Sequence, residues 1–307
     1  MCLFSIIIVS WNTRDLLAQC LESIHAHPPD CPYEVWVVDN ASTDGSAALV
    51  RARFPGARLI ENTENLGFAR ANNQAIRQSQ GRYVLLLNSD TVVLPNALTI
   101  LLRFMDEHPE VGLAGGNLLN PDRTPQVCYG NAPGLSSEVL TLLGLDRWLP
   151  LLDVLRCSLP RTSEPWEGHQ DVDWVLGACM MLRRTALDQV GLLDEQYYMY
   201  SEETDWAQRA RQKGWRVAYL SAAGILHYGG ASTRQVSQRM LPYLYASKTR
   251  YLAKHAGRVT AGLYRLAVLT VLVNKGAISF LRDSFRGQPA PAPSQWREIV
   301  RQYRSLT

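Results

Sequence analysis

Short apolar runs alternating with amphipathic stretches fill the opening third of this chain, and they leave it few folds. The runs are Phe4–Ser10, residues 34–38, residues 57–60 and residues 83–87. The last is fully apolar and too short for a helix, so it reads as a strand covered on both faces. Helical periodicity fills the gaps. Residues 13–26 place Leu16, Leu17, Cys20, Leu21 and Ile24 on one face, and shorter helices are expected over Ser46–Arg53 and 67–79. A helix over 95–108 follows, with Pro95 in its first turn, where a missing N–H costs nothing. This alternation predicts an α/β architecture, a mostly parallel central sheet flanked by helices.

The ends of these strands carry the chemistry. Leu85-Leu86-Leu87 stops at Asn88-Ser89-Asp90-Thr91. At the carboxyl end of a strand in an open α/β sheet, an Asp lies in the crevice where ligands bind. An oxygen ligand there suits a hard divalent cation bridging to phosphate. Read alone, the same residues are equally a turn that ends a strand. The second strand closes with Val37-Val38-Asp39-Asn40-Ala41-Ser42-Thr43-Asp44-Gly45-Ser46. Asp39 is placed to accept hydrogen bonds from a nucleoside base or ribose, whereas Asp44 is as readily a helix cap. Asn65-Leu66-Gly67-Phe68-Ala69-Arg70-Ala71-Asn72-Asn73 opens a helix, which is either an anion site with an Arg beside it or a plain amphipathic helix.

Two clusters lie further on. Tyr200-Ser201-Glu202-Glu203-Thr204-Asp205-Trp206 holds three carboxylates at a predicted helix start. The helix dipole tolerates acids there, but their mutual repulsion raises the pKa of one and suits it to act as a general base. His227 precedes Gly229-Gly230, a pair that permits close backbone approach to a ligand, although a lone His is more often structural.

The second half reads less regularly. Residues 111–119 suggest strand and loop, and 121–165, rich in Pro, Gly and Leu, suggest loops with a short helix or two. A strand is expected over 172–182, a helical turn over 185–190, a helix over 203–213 stopped by Gly214, and a strand over 215–220. Helices over Ser237–His255 and 262–285 precede a stiff Pro-rich linker, 287–294, and a short terminal helix. Among residues 236–286 the only acid is Asp283, against nine Lys and Arg. Leu263, Leu266, Ala267, Leu269, Thr270, Val271, Leu272 and Val273 form an apolar patch in that basic segment. It reads equally as an interfacial helix on anionic lipid and as a core or dimer helix.

Composition narrows the class. With 47% hydrophobic and 19% charged residues the chain is expected to fold, and a net charge of +3 is too small to argue for a nucleic-acid partner. Its six cysteines form no Cys-x-x-Cys pair, so neither a zinc site nor a redox motif is indicated, and a reducing cytosol is expected. The apolar N-terminus lacks a basic leader and breaks at Trp11, so it reads as a strand rather than a signal peptide. No apolar run approaches the roughly 20 residues that span a bilayer. Ser10-Trp11-Asn12-Thr13 stands where a dinucleotide-binding G-x-G-x-x-G would follow the first strand, and neither a P-loop nor a G-x-S-x-G elbow occurs.

Taken in order, these segments resemble glycosyltransferase family 2, inverting enzymes with the GT-A fold, and more narrowly its bacterial rhamnosyltransferase-like members. The resemblance runs from Phe4 to about Gly257, through Ser5-Ile6-Ile7-Ile8-Val9-Ser10-Trp11-Asn12, the Asp39 and Asn65 segments and Leu87-Asn88-Ser89-Asp90. It continues through Gly177-Ala178-Cys179-Met180, Gly191-Leu192-Leu193-Asp194-Glu195, Glu202-Glu203-Thr204-Asp205 and His227-Tyr228-Gly229-Gly230.

The resemblance implies a GT-A domain over 1–235, with a nucleotide-sugar-binding half over 1–120 and an acceptor and catalytic half over 121–235. A helical extension over 236–307, associated with membrane, would follow. Asn88-Ser89-Asp90 stands in the place of the family's D-x-D motif, so Asp90, with His227, would hold Mg²⁺ or Mn²⁺. Ser10, Trp11, Asn12, Asp39, Asn65, Gly67, Asn72, Asn88 and Ser89 would contact the nucleotide sugar. Glu203 would be the catalytic base, with Glu202 and Asp205 as alternatives. Asn88 replaces the motif's first Asp, and Glu203 replaces the family's usual Asp. The implied activity is sugar transfer from a nucleotide-diphosphate sugar to a glycan or lipid-linked acceptor, with inversion, in cell-surface polysaccharide synthesis. The implied place is the cytoplasm, on the inner face of the membrane. The alternative is a module that binds nucleotide sugars without transferring them.

Overall fold

The computed structural model describes residues 4–145, 168–230, 237–285 and 294–307. The strands β1 (Phe4–Ser10), β2 (Tyr33–Asp39), β3 (Arg58–Glu61) and β4 (Tyr83–Asn88) pair in parallel, with β1 between β2 and β4. The crossovers are α1 (Arg14–Ala26), α2 (Ser46–Arg53) and α3 (Phe68–Gln78). Ile6, Ile7, Ile8, Val84, Leu85 and Leu86 are fully buried, each contributing about 1.5–3 kcal/mol of burial free energy. Register sets Ser10 opposite Asp39 and Val9 opposite Asn88, so the three carboxyl ends finish at one level.

Beyond β4 the sheet becomes mixed. The next strands in space are β10 (Cys179–Arg183), antiparallel to its neighbours β4 and β6 (Val111–Leu119), and then β11 (Arg216–His227), parallel to β6. Two short strands, β5 (Thr91–Val93) and β8 (His169–Asp171), pair antiparallel with β11. A separate pair joins β7 (Tyr129–Gly130) to β9 (Trp174–Val175). The helices α4 (Ala97–Glu107), α6 (Arg184–Val190) and α7 (Glu202–Gln212) complete this unit. Gly214, at φ +88°, ends the turn after α7 as its position predicts.

Four expectations change. The helix predicted over 95–108 begins at Ala97, because Asn96 caps it at φ +65° and leaves Pro95 in the preceding turn. The strand predicted over 172–182 is broken at Leu176-Gly177-Ala178. There Leu176 N–H donates to the Cys128 carbonyl and the Ala178 carbonyl accepts from Asn88 N–H. β11 runs seven residues past the predicted 220, carried by a register shift between Leu220 and Gly224. The helix predicted over 262–285 starts at Arg258. The segment 146–165 and the linker residues 287–293 lie outside the described residues.

A second compact unit contains α5 (Leu135–Leu143), α8 (Ser237–His255), α9 (Arg258–Phe285) and α10 (Ser294–Leu306). Lys248 on α8 pairs with the buried Glu138 on α5, and the hydroxyls of Thr249 and Tyr303 join α8 to α10. On α9, Ala261, Tyr264, Val268 and Leu272 are buried, while Val259, Leu263, Leu266 and Val273 are 79%, 53%, 63% and 58% exposed. The apolar patch is therefore divided between two faces, one packed and one open. Among the described residues no helix is long and apolar enough to cross a membrane.

The start of α3 depends on Gly67. It adopts φ +79° and ψ 179°, a region reserved for glycine, and an added Cβ would stand 2.2 Å from the Tyr198 carbonyl oxygen. Gly67→Ala is expected to destabilise the protein by about 2 kcal/mol or more, as a shifted urea midpoint at unchanged slope.

Candidate active site

The loops after β1, β2 and β4 are fastened to one another by small polar side chains. Ser10 Oγ lies 3.0 Å from Thr13 Oγ1, which lies 2.8 Å from Ser89 Oγ, a hydroxyl chain between the ends of β1 and β4. Asn12, at φ +51°, donates its N–H to Ser42 Oγ and accepts from Thr43 N–H at 2.8 Å, with the partly buried Trp11 beside it. Asp44 accepts from the Arg14 and Ser46 amides, so it caps two helix starts. Asp39 differs from it. Its Oδ2 accepts from Ser42 N–H at 3.1 Å, while its Oδ1 is buried with no hydrogen-bond partner among the described residues.

The start of α3 is occupied by internal bonds. Gly67 N–H donates to Asn65 Oδ1 and Phe68 N–H to the Tyr198 carbonyl, so these two amides do not form the anion site expected there. Asn72 donates to the Phe68 carbonyl in its own helix, and Arg70 reaches to 3.8 Å from Glu195. The organiser of this corner is Asn40. Its amide donates to Asn65 Oδ1 and accepts from Asn62 and from Leu66 N–H, a role its place in a polar run did not reveal.

At the end of β4 the pairing of β11 with β5 sets His227 opposite Thr91, and Tyr228 N–H donates to the Asp90 carbonyl. His227 Nε2 then lies 3.4 Å from Asp90 Oδ1 and 3.4 Å from Asn88 Nδ2. Asp90 and His227 are both buried. One carboxylate and one imidazole nitrogen at this separation suit a divalent cation that completes its shell with substrate phosphate and water. Among the described residues no group of three or more His, Cys, Asp or Glu offers a metal a fuller protein cage.

The first turn of α7 brings in the acids. Asp205 is fully buried and bound by Arg209 Nε at 2.8 Å, while the remaining Arg209 nitrogens donate to the Val190 and Leu192 carbonyls. Glu202 and Glu203 are also buried, but each keeps an Oε2 without a hydrogen-bond partner among the described residues. Burial pushes both carboxyls up, Glu203 to about 7, and the neighbouring Glu203 charge raises Glu202 further. The break between β9 and β10 adjoins Glu203. A Cβ added at Gly177 would stand 3.3 Å from the Phe68 ring and 3.8 Å from Glu203 Cβ, and the next residue, Ala178, holds Asn88. Asn88, Asp90 and His227 thus meet directly, while Glu203 lies beside Gly177.

A sequence model described as Glycosyl transferase family 2 matches residues 5–128, and one described as Glycosyl transferase family group 2 matches residues 83–281. The chain is 29% identical over 238 residues to the N-acetylglucosaminyl-diphospho-decaprenol L-rhamnosyltransferase of Mycobacterium tuberculosis, covering 74% of this chain and 76% of that protein. Its fold is similar to that of the mannosyltransferase PcManGT from Pyrobaculum calidifontis, solved with GDP-Man and Mn²⁺. That likeness has a TM-score of 0.57 at 17% identity, over 99% of this chain and 85% of that one. It is also similar to S. aureus TarS 1-349, with a TM-score of 0.52 at 16% identity over 100% and 92% of the two chains.

The unpartnered acids make stability depend on pH. A carboxyl whose pKa is raised on folding favours the folded state below its unfolded value, and that contribution is lost as pH rises through the folded value. Glu202→Gln is therefore expected to melt higher than the wild type, by a margin that grows between about pH 5 and pH 8 in thermal scans.

Proposed function

We infer, for a chain that belongs to the family 2 glycosyl transferases and has the GT-A fold, that it transfers a sugar from a nucleotide-diphosphate sugar to a hydroxyl of a lipid-linked glycan. The observation that supports this reading is Glu203, a buried carboxylate whose Oε2 has no hydrogen-bond partner among the described residues and whose pKa burial raises to about 7. A general base works best when its pKa lies near the working pH.

In this reading residues 1–120 bind the donor and 121–235 shape the acceptor side. Asp39 Oδ1 accepts from the nucleoside, while Ser10, Asn12 and Ser89 brace the surrounding loops. Asp90 and His227 would hold Mg²⁺ or Mn²⁺, which when bound supplies positive charge against the leaving diphosphate. Glu203 accepts the proton of the attacking hydroxyl as the acceptor oxygen bonds to the anomeric carbon and the carbon–phosphate oxygen bond breaks. Attack opposite the leaving group inverts the anomeric centre. Burial and the neighbouring Glu203 charge raise the Glu202 carboxyl, which disfavours a second negative charge beside Glu203. Asp205 anchors α7 through Arg209 rather than taking the proton.

The Mycobacterium tuberculosis relative supports rhamnose as the sugar and a polyprenyl-diphosphate-linked N-acetylglucosamine as the acceptor class. Such an acceptor sits in a bilayer, and the open face of α9 gives the protein a means of resting on one. Val259, Leu263, Leu266 and Val273 recur at helical spacing beside Arg258 and Arg265, the pattern of a helix lying on anionic lipid at the inner face of the membrane.

Glu203→Gln is expected to lower transfer by about 10²–10⁴-fold while leaving donor affinity in place. Wild-type kcat/KM should rise with pH to a plateau above about 7, since the ionised form is the base. Wild-type turnover in the variant removes Glu203 from the chemistry, and donor binding without turnover in the wild type favours a module that only binds nucleotide sugars. Leu263→Glu with Leu266→Glu should abolish co-sedimentation with vesicles rich in anionic phospholipid while the circular dichroism spectrum stays unchanged.

A further inference from the structure

We propose that Gln126 is a positioning residue that locks the His227 imidazole in the tautomer bearing its proton on Nδ1. Nε2 then presents a lone pair beside Asp90. The argument begins with the Gln126 amide, whose orientation is fixed by groups of unambiguous polarity. Its Nε2 donates to the His227 main-chain carbonyl at 2.6 Å and to Asn120 Oδ1 at 2.8 Å. A carbonyl only accepts, so this end of the amide is the NH₂ end and the other is the oxygen.

That oxygen, Gln126 Oε1, lies 2.9 Å from His227 Nδ1. An amide oxygen only accepts, so Nδ1 carries the proton and donates it. In the neutral ring Nε2 is then an acceptor, 3.4 Å from the Asn88 Nδ2 that can donate to it and 3.4 Å from Asp90 Oδ1.

Gln126 is itself held firmly. Its N–H donates to the Leu118 carbonyl at 2.9 Å, and the neighbouring Pro125 bridges to Leu119. Asn120, which accepts from Gln126, is oriented in turn by donation to Thr124 Oγ1 at 2.9 Å. One side chain thus grips the imidazole and the backbone of the same residue, fixing both proton position and ring orientation. A metal-ligating His commonly relies on such a partner at its other ring nitrogen. The metal part of this inference rests on the assignment of Asp90 and His227 proposed above, but the tautomer does not.

The test uses the full chain labelled with ¹⁵N-histidine, at about pH 8, where an ordinary imidazole is neutral. Ring nitrogen spectra report directly which nitrogen is protonated, and the His227 signals are assigned by their loss in His227→Asn. The wild type is expected to show the Nδ1–H form. Gln126→Met, which removes the acceptor, should shift the population toward Nε2–H. Gln126→Glu, which keeps an acceptor, should preserve Nδ1–H.

Mn²⁺ alone, followed by paramagnetic broadening, should bind Gln126→Met about 10–100-fold more weakly than wild type, with recovery in Gln126→Glu. A wild-type ring protonated at Nε2 overturns the proposal without any variant. An unchanged tautomer in a folded Gln126→Met overturns it as well. A wild type with the Nδ1–H ring that fails to bind Mn²⁺ upholds the tautomer lock and removes the metal assignment.

Discussion

The parallel register of β1, β2 and β4 is the constraint on which the site depends. Because Ser10 pairs with Asp39 and Val9 with Asn88, three buried strands end together and release their polar residues on one side of the sheet. A shift of one residue toward the sheet interior would draw Asp39 or Asn88 in among the buried apolar positions, where a polar group costs free energy. The hydroxyl chain from Ser10 through Thr13 to Ser89 forms between loops that this register has already brought close. His227 belongs to the same scheme from the far side, since β11 pairs with β5 immediately after Asp90.

Against this rigid frame the α7 acids show how cost and function are separated. All three are buried, but among the described residues only Asp205 has a guanidinium to neutralise it. Removing one partner of such a pair is strongly destabilising, which makes Arg209 an anchor for the helix start. With α7 held in that way, Glu202 and Glu203 remain in an environment that neither would choose if ionised. Burial raises the pKa of Glu203, and the Asp205–Arg209 bond fixes the same helix start two residues on.

Much of this was legible in the chain. The four parallel strands followed from apolar runs, and the end of a buried run marks a polar residue's position at the sheet edge regardless of tertiary detail. Asp39, Asn88 and Asp90 were located at strand ends in that way, and the α7 acids at a helix start by their crowding. Other features required contacts that no local pattern encodes. The antiparallel insertion of β10 between β4 and β6 is a pairing across distant segments, and the turn that breaks off β9 is set by Cys128 and Asn88. The three-residue strands β5 and β8 are too short for a period. Gln126 lies in a stretch without periodicity, and its partner is 101 residues away. The need for glycine at position 67 comes from the backbone of Tyr198, a contact from a distant part of the chain that no local pattern encodes.

The placement of β10 has a consequence for the nascent polypeptide. β4 is flanked by β1, made early, and by β10, whose residues follow those of β4 by about 95 positions. At ribosomal speeds of about 5–20 residues per second, Val84, Leu85 and Leu86 wait roughly 5–20 s for that second neighbour. During that interval this buried apolar strand is an open edge, the kind of surface that chaperones shield and that other chains can add to.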